Sequence, residues 1–411
     1  MADQRTVPLY LVGGVVRDLL LRRPTWDLDL AVEGDGPGFA RTLADDLHAG
    51  LVVFERFATA RLTMKDGTKI DVASTRRESY AEPAALPDVS PAPLSADLYR
   101  RDFTINAMAI QLNADRFGRL HDPYGGQRDL RSRTIRALHN ESFIDDPTRI
   151  FRAVRFAQRF GFRLETNTAR LLRQAAATDQ VARLSGPRLC NEILLLLEEP
   201  DPLGAMARLA RLDLLRFLHP LLKFGGSASA VMAMVPRAVR WWIPYGRRRS
   251  IAVRITMLMA LLHRAEPAVV QQIIRRLMLS KEQAEKVRWA GLPIRCAARR
   301  LASARSLKPS SIYRELVHLP SEAHILLLAH SMSRGGQAGL ARVKSRLKAF
   351  LTTMRDGRSP LRGEDLLRMG LTPGPQFGRI LDRVREAQLD GTVKTKMQAR
   401  RLAQSLANLP A

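Results

Sequence analysis

Hydrophobic and polar positions alternate most clearly over residues 26–32, where Asp27 and Asp29 fall on one side and Leu28 and Leu30 on the other, the period of a half-buried strand. An apolar run at residues 10–12 precedes it and ends in Gly13-Gly14. Between the two, apolar residues recur at helical spacing around Arg17 and Asp18. Strand, glycine turn, helix, strand is the order this predicts. Further on, residues 37–49 carry a helical period, and residues 51–57, 60–64 and 69–74 read as strands, with Asp66-Gly67 as the hairpin turn between the last two. Residues 79–96, rich in Pro, Ala and Ser without a period, predict a long loop. Asp102 predicts the N-cap of a helix starting at Phe103. Residues 142–160 predict one helix with Asp145 as cap and Asp146 and Pro147 in its first turn. From residue 166 onward helical periods replace strand patterns.

Several of these elements carry candidate chemistry. Two glycines after a strand let the backbone approach an anion at a helix start, with Arg17 one turn further in. Asp27 and Asp29, at i and i+2, can hold two hard cations a few ångströms apart, the clamp used on attacking and leaving oxygens in phosphoryl or nucleotidyl transfer. Asp71 sits in the strand at 69–74 between Ile70 and Val72, and a carboxylate there needs a partner, for which a neighbouring arginine such as Arg76 is one choice. Arg149, Arg152 and Arg155 recur every three residues and so form a stripe, which as bare pattern describes a solvated basic face.

In sequence, GG-x-x-R followed by D-x-D in an apolar strand resembles the signature of the nucleotidyltransferase superfamily, in its class II tRNA nucleotidyltransferase and bacterial poly(A) polymerase branch. RRDFTINA at residues 100–107, DPYGG at 122–126 and D-D-x-x-R-x-x-R-x-x-R at 145–155 resemble further motifs of that family in the same order. The resemblance implies an α+β fold. A mixed-sheet palm (residues 1–140) would precede an all-α neck (141–198), body (199–355) and tail (356–411). It implies that Asp27 and Asp29 bind two Mg²⁺ and that Asp71 is the third carboxylate of the palm. Gly13, Gly14, Arg17 and Arg101 would hold the nucleotide, with Asp102 near its ribose. Asp146 and Arg149 would choose the base, and Arg152 and Arg155 would reach the triphosphate or ribose.

Donors and acceptors make that choice readable. Arginine offers only donors and an ionised aspartate only acceptors. Cytosine and adenine each present a ring-nitrogen acceptor beside an amine donor, which the pair satisfies. Uracil and guanine reverse both, and each unpaired buried group costs roughly 1 to 3 kcal/mol. One departure from the family pattern lies in the neck, where Arg188 and Glu192 are present but Leu195 stands where lysine is expected.

Composition then narrows the partner. The chain has 411 residues, enough for two or more domains, and 66 Lys+Arg against 40 Asp+Glu give a net charge of +26. Such a balance implies a polyanion. Arg247, Arg248 and Arg249 lie near Trp241, Trp242 and Tyr245, suited to RNA stacking or to a packed Trp pair, and Arg299 and Arg300 belong to a second cluster along a possible tRNA phosphate track. There is no apolar run of about 18 residues, which argues against a membrane span. Cys190 and Cys296 are too few for a disulfide framework, so a cytoplasmic setting is expected. The expected function is addition of CCA to the tRNA 3′ end from CTP and ATP, with no protein partner implied. CC-only, A-only and poly(A) activities remain open beside it, as does a catalytically silent tRNA-binding protein on the same scaffold.

Overall fold

The glycine turn sits between β1 (Leu9–Val12) and α1 (Gly14–Leu20), and the alternating segment becomes β2 (Asp27–Val32). α2 (Gly36–Leu47), β3 (Gly50–Phe54), β4 (Thr59–Thr63) and β5 (Lys69–Ser74) follow, then β6 (Arg76–Ser79), β7 (Asp88–Pro91), α3 (Leu94–Tyr99), β8 (Ala109–Gln111) and β9 (Leu120–His121). Seven strands form one mixed sheet in the order β3-β4-β5-β2-β1-β8-β9. β2 is central, antiparallel to β1 and parallel to β5, and the parallel register sets Asp29 opposite Asp71. Asp35 caps α2 by accepting from Gly38 N at 2.8 Å, and Phe39, Ala40 and Ala44 of that helix bury against Leu9, Val32, Leu62 and Val72. Leu28 and Leu30 are half-buried while Asp27 is exposed, as the alternation requires.

In this computed structural model, residues 2–3, 6–82, 84–246, 251–357 and 359–407 are described. The chain divides into two compact units, Met1–Phe217 and Leu218–Ala411. The first unit continues past the sheet with α4 (Gly126–Arg131), β10 (Thr134–Ile135), α5 (Ser142–Asp145), α6 (Thr148–Phe160), β11 (Arg163–Leu164), α7 (Thr166–Ala177), α8 (Gly186–Glu198) and α9 (Pro202–Arg211). The second unit is helical throughout its described elements. Its helix Ser321–Ser333 is buried over Glu322 to His330 on every side, which suits a sequence apolar all round. The last three helices, Gly363–Arg368, Pro375–Leu389 and Lys396–Ala407, share a core of their own around Leu366, Ile380, Val384 and Ala403. No helix among the described residues is long and apolar enough to cross a membrane.

Three expected elements come out differently. The loop expected at residues 79–96 contains β7, hairpinned onto β6, and the start of α3. Phe103 is extended and followed by a single 3₁₀ turn, Thr104–Asn106, so Asp102 opens no α-helix. Its carboxylate does accept from Phe103 N at 2.8 Å and Asn106 Nδ2 at 2.9 Å. The expected helix at 142–160 is two helices, broken at Asp146, whose backbone is extended because the following Pro147 disfavours a helical conformation there.

Candidate functional site

Gly13 adopts φ +76°, and a Cβ added there would stand 2.7 Å from Arg101 Nη1 and 3.8 Å from Asp29 Oδ2. Turn, β2 carboxylate and distant arginine therefore meet at one point, which only glycine leaves open. α1 is short, seven residues, so its dipole adds little and the positive charge comes from side chains. Arg17 is buried. It donates to Asn106 Oδ1 at 2.6 Å and to both Asp18 oxygens at 2.9 and 2.8 Å, and its guanidinium lies 4.8 Å from the Phe160 ring centroid.

Beside this turn opens a cleft of about 420 Å³. Its walls include Gly13, Gly14, Arg17 and Asp29 from the sheet side, Arg101 and Asp102 from the segment after α3, and Asp146, Arg149, Arg152 and Arg155 from the α5–α6 junction and α6. Asp29 also borders an adjoining cavity of about 300 Å³ that holds Asp71 and Arg61.

Almost every arginine here is backed by an acid. Asp97, 1% exposed, accepts from Arg100 Nη2 at 2.7 Å and Arg101 Nη2 at 2.8 Å. Burial alone would raise its pKa, but Arg101 and Arg100 prevail and hold the carboxyl below the usual range. Asp102, also buried, binds Arg152 Nε at 2.7 Å, and that partner likewise outweighs burial to lower its pKa. Glu192 of α8 stands 3.8 Å from Arg155 and 4.0 Å from Arg152. At that range the guanidiniums do not offset burial, and its carboxyl is pushed up. Leu195 is half-buried, and the cations around Glu192 come from α6 in place of a lysine on α8.

Asp146 closes the far end. Oδ1 accepts from Thr148 N at 2.9 Å, Thr148 Oγ1 at 2.6 Å and Arg188 Nη2 at 2.7 Å, and no described residue bonds Oδ2. Arg149, 5% exposed, donates from Nη1 to Ser142 Oγ at 2.8 Å and from Nη2 to the Arg100 carbonyl at 2.6 Å. Two of its five N–H groups are thereby engaged. Phe156, between Arg17, Arg152 and Arg155 at 5.4, 5.3 and 5.0 Å, gives the guanidiniums a common aromatic surface.

The carboxylates of the sheet are unevenly compensated. Arg61 grips Asp71 through two bonds, 2.7 and 2.8 Å, from the neighbouring strand β4. Asp71 therefore has a local cation, Arg61 and not Arg76, and Arg76 pairs with Glu78. Burial pushes the Asp29 carboxyl up to about 6, with Arg101 opposing the shift and Asp71 and Asp27 reinforcing it. Excess negative charge on oxygen donors is what a hard divalent cation answers, so Asp27 and Asp29 fit one. Among the described residues no group of three metal-ligating side chains forms, in keeping with Asp71 being occupied by Arg61.

Elsewhere, Arg300 of the second unit is bound to Glu315 at 2.7 Å, while Arg299 on the same helix is exposed and has no acid partner. Arg247, Arg248 and Arg249 lie outside the described residues. Trp242 is buried, which suits the packed-pair alternative, and the Trp241 ring lies 5.0 Å from that of Tyr245, tilted by 49°. Sequence reasoning did not select Asp97, Glu78, Asn106 or Phe156. Asp97 had a readable signal, its i, i+3 and i, i+4 spacing to Arg100 and Arg101.

Residues 9–136 match the family described as "Poly A polymerase head domain", and residues 161–224 that described as "Probable RNA and SrmB- binding site of polymerase A". Over 99% of its length, and 91% of the relative's, the chain is 32% identical to an A-adding tRNA nucleotidyltransferase of Halalkalibacterium halodurans. The chain belongs to the tRNA nucleotidyltransferase family. A second relative, the A-adding tRNA nucleotidyltransferase of Geobacter sulfurreducens, is 37% identical over 99% of the chain, which spans only 46% of that protein. The CC-adding tRNA nucleotidyltransferase of the same organism is 30% identical over 95% of the chain and 90% of its own length. Among solved structures, an apo CCA-adding enzyme superposes with a TM-score of 0.77 at 35% identity, covering 99% of this chain and 93% of that one. The chain thus has the expected α+β architecture, a mixed sheet followed by helices.

Proposed function

We propose that this protein adds the terminal AMP to tRNA ending in CC, the 3′-hydroxyl of the tRNA attacking the α-phosphate of ATP and pyrophosphate leaving. The observation that carries this is the ordering of two relatives from one organism, 37% identity to the A-adding enzyme against 30% to the CC-adding one. No side-chain nucleophile is needed, since positioning and charge account for such a transfer. Asp27 and Asp29 are the residues to hold Mg²⁺, two ions in this reading, which when bound would polarise the phosphate and activate the hydroxyl. Gly13 and Gly14 admit the phosphates, and Arg101 and Arg17 face them from opposite walls. Asp102 orients Arg152 and lies toward the ribose, and Arg155 completes the basic wall. Asp146 keeps Oδ2 available to accept from the adenine amine, while Arg149 has N–H groups left to donate to the ring nitrogen. Asp71 joins the metal set only if Arg61 lets go of it. The separate core of the last three helices supports reading them as a tail that holds the tRNA, after a neck and body.

A second reading, complete CCA addition, is favoured by the same Asp146 and Arg149, because their donor and acceptor pattern suits cytosine equally well. The test is incorporation on tRNAs ending at the discriminator base, at C and at CC, given each triphosphate alone, with the products sequenced. AMP on the CC-ended tRNA alone is the expected result. CMP on the two shorter tRNAs together with AMP on the CC-ended one would select the CCA reading, CMP without AMP the CC-only reading, and long A runs the poly(A) reading. Tight tRNA binding without any incorporation would reduce the protein to a silent scaffold.

A further inference from the structure

The second unit contains a cavity of about 650 Å³ that the proposed reaction does not use. Arg295, Cys296 and Arg299 reach it from the helix Leu292–Ala302, His330 and Arg334 from the end of Ser321–Ser333, and Arg264 from the turn after Val253–Leu261. No carboxylate lines it. Arg295 is held by a bond to the His263 carbonyl at 2.6 Å, with Glu266 3.7 Å away. Arg264, Arg299 and Arg334 make no ion pair or hydrogen bond through their side chains with any described residue. His330 is 7% exposed, and its Nδ1 is buried without a hydrogen-bond partner.

The same wall carries the start of the thirteen-residue helix Gln337–Ala349, whose N-cap, Gly336, offers no side-chain cap. Free N–H groups of its first turn add to the positive field. The wall is also fixed: Arg342 and Arg346 of this helix donate to the carbonyls of Ala302 and Leu301 at 2.8 and 2.7 Å. Like charges gathered without counter-charge repel one another, and a cation or neutral ligand would leave that repulsion in place. An anion with several acceptor oxygens removes it and caps the helix. Leu292, Ala298 and Leu340 provide apolar wall beside the charged end, and the volume is that of a small-molecule site, roughly 300 to 1,000 Å³.

We propose that this cavity is a second anion site, outside the catalytic cleft, that takes a phosphorylated small molecule of mononucleotide size with its phosphate on Arg264, Arg299 and Arg334. The polymer backbone of RNA is the less suitable occupant, because the apolar wall of Leu292, Ala298 and Leu340 favours a terminal phosphate with a compact body over a strand that must pass through.

Cys296 offers a local reporter in the full-length protein, since it is only half-buried whereas Cys190 is buried. Its alkylation by iodoacetamide is followed by mass spectrometry with inorganic phosphate, AMP or pyrophosphate present, at ionic strength matched with potassium chloride. Saturable protection by AMP or phosphate is expected, weakened about tenfold or more when the charge-assisted bonds are removed in Arg264→Ala/Arg334→Ala. Arg334→Lys, which keeps the charge, should retain much of it, and Arg101→Ala in the cleft should leave it unchanged. Equal protection by potassium chloride overturns the proposal, as does protection that Arg101→Ala abolishes and the cavity variants do not. Protection by an RNA hairpin but by none of the small phosphates also overturns it, making the cavity part of an RNA track.

Discussion

Two regions of this protein gather arginines and treat them in opposite ways. In the cleft of the first unit, Arg17 is held by Asp18, Arg101 by Asp97, Arg152 by Asp102 and Arg188 by Asp146. In the cavity of the second unit, only Arg295 has a carboxylate near it, Glu266 at 3.7 Å, and Arg264, Arg299 and Arg334 pair with no acid among the described residues. The difference separates two uses of the same side chain. An acid behind a guanidinium costs positive potential but fixes the direction of its remaining N–H groups, which suits a site that must place a reacting phosphate and reject the wrong base. Arginines without acids keep their full field and little directional precision, which suits capture of an anion.

The strongest way to break this comparison is to remove cleft carboxylates. Asp29→Ala should lower AMP incorporation by on the order of 10³-fold or more, as for loss of a major electrostatic element at a transition state, with tRNA affinity nearly intact. Near-normal turnover would sink the metal assignment. Asp97→Ala should destabilise the first unit by roughly 3 kcal/mol, because half-buried Arg101 loses its carboxylate partner while Arg100 keeps Glu78 at 2.7 Å. Denaturant unfolding measures this, and an effect under 1 kcal/mol would show that Arg100 and Arg101 do not depend on it.

Selectivity sharpens the contrast. Asp146→Ala should admit UTP or GTP by removing the acceptor that repels their carbonyls, eroding a discrimination of up to ~10². Arg149→Ala should instead lose most activity, since it leaves the ring nitrogen of every accepted base unpaired. Unchanged preference in both variants would move base reading elsewhere.

Acid should distinguish the units as well. Burial holds His263, His324 and His330 of the second unit down to about 4, so each takes up its proton more readily unfolded than folded. Their neutral forms therefore stabilise the fold fully above the unfolded pKa, near 6.5, and that contribution is lost as pH falls toward 4. Up to about 3 kcal/mol per histidine is expected, less for His263 and His330, which act on one another. Thermal unfolding between pH 7 and 4 reads this out, and replacement of His324 by a residue that does not titrate should flatten the dependence. The smallest effect concerns salt. Arg300→Ala should leave the slope of log K for tRNA against log salt nearly unchanged, well below the ~1 of a free phosphate-contacting arginine, because Glu315 already neutralises Arg300.

Local patterns were legible and non-local pairings were not. The strand–turn–helix–strand core around Gly13 and Asp29 follows from periods of two and 3.6 residues, and the resemblance brought together ten residues that now line one cleft. Periodicity carried no information about Arg61, which reaches Asp71 across a strand pair whose register depends on the whole sheet. Nor did it reveal β7, because an edge hairpin containing Pro91 lacks the alternation of a strand with a buried face. Asp102 illustrates a third limit: a capping residue was evident, but a 3₁₀ turn and an arginine fifty positions away use its oxygens in place of an α-helix.

Phe156 and Phe160 carry a last consequence. The cation–aromatic contacts they make with Arg17, Arg152 and Arg155 restrict the rotamers of those three side chains before any nucleotide arrives. An arginine has on the order of 2 kcal/mol of such freedom to lose, and here it is given up during folding. Nucleotide capture should therefore carry a smaller entropic penalty on the protein side, leaving the nucleotide's own lost freedom and the desolvation of its phosphates as the main opposing costs.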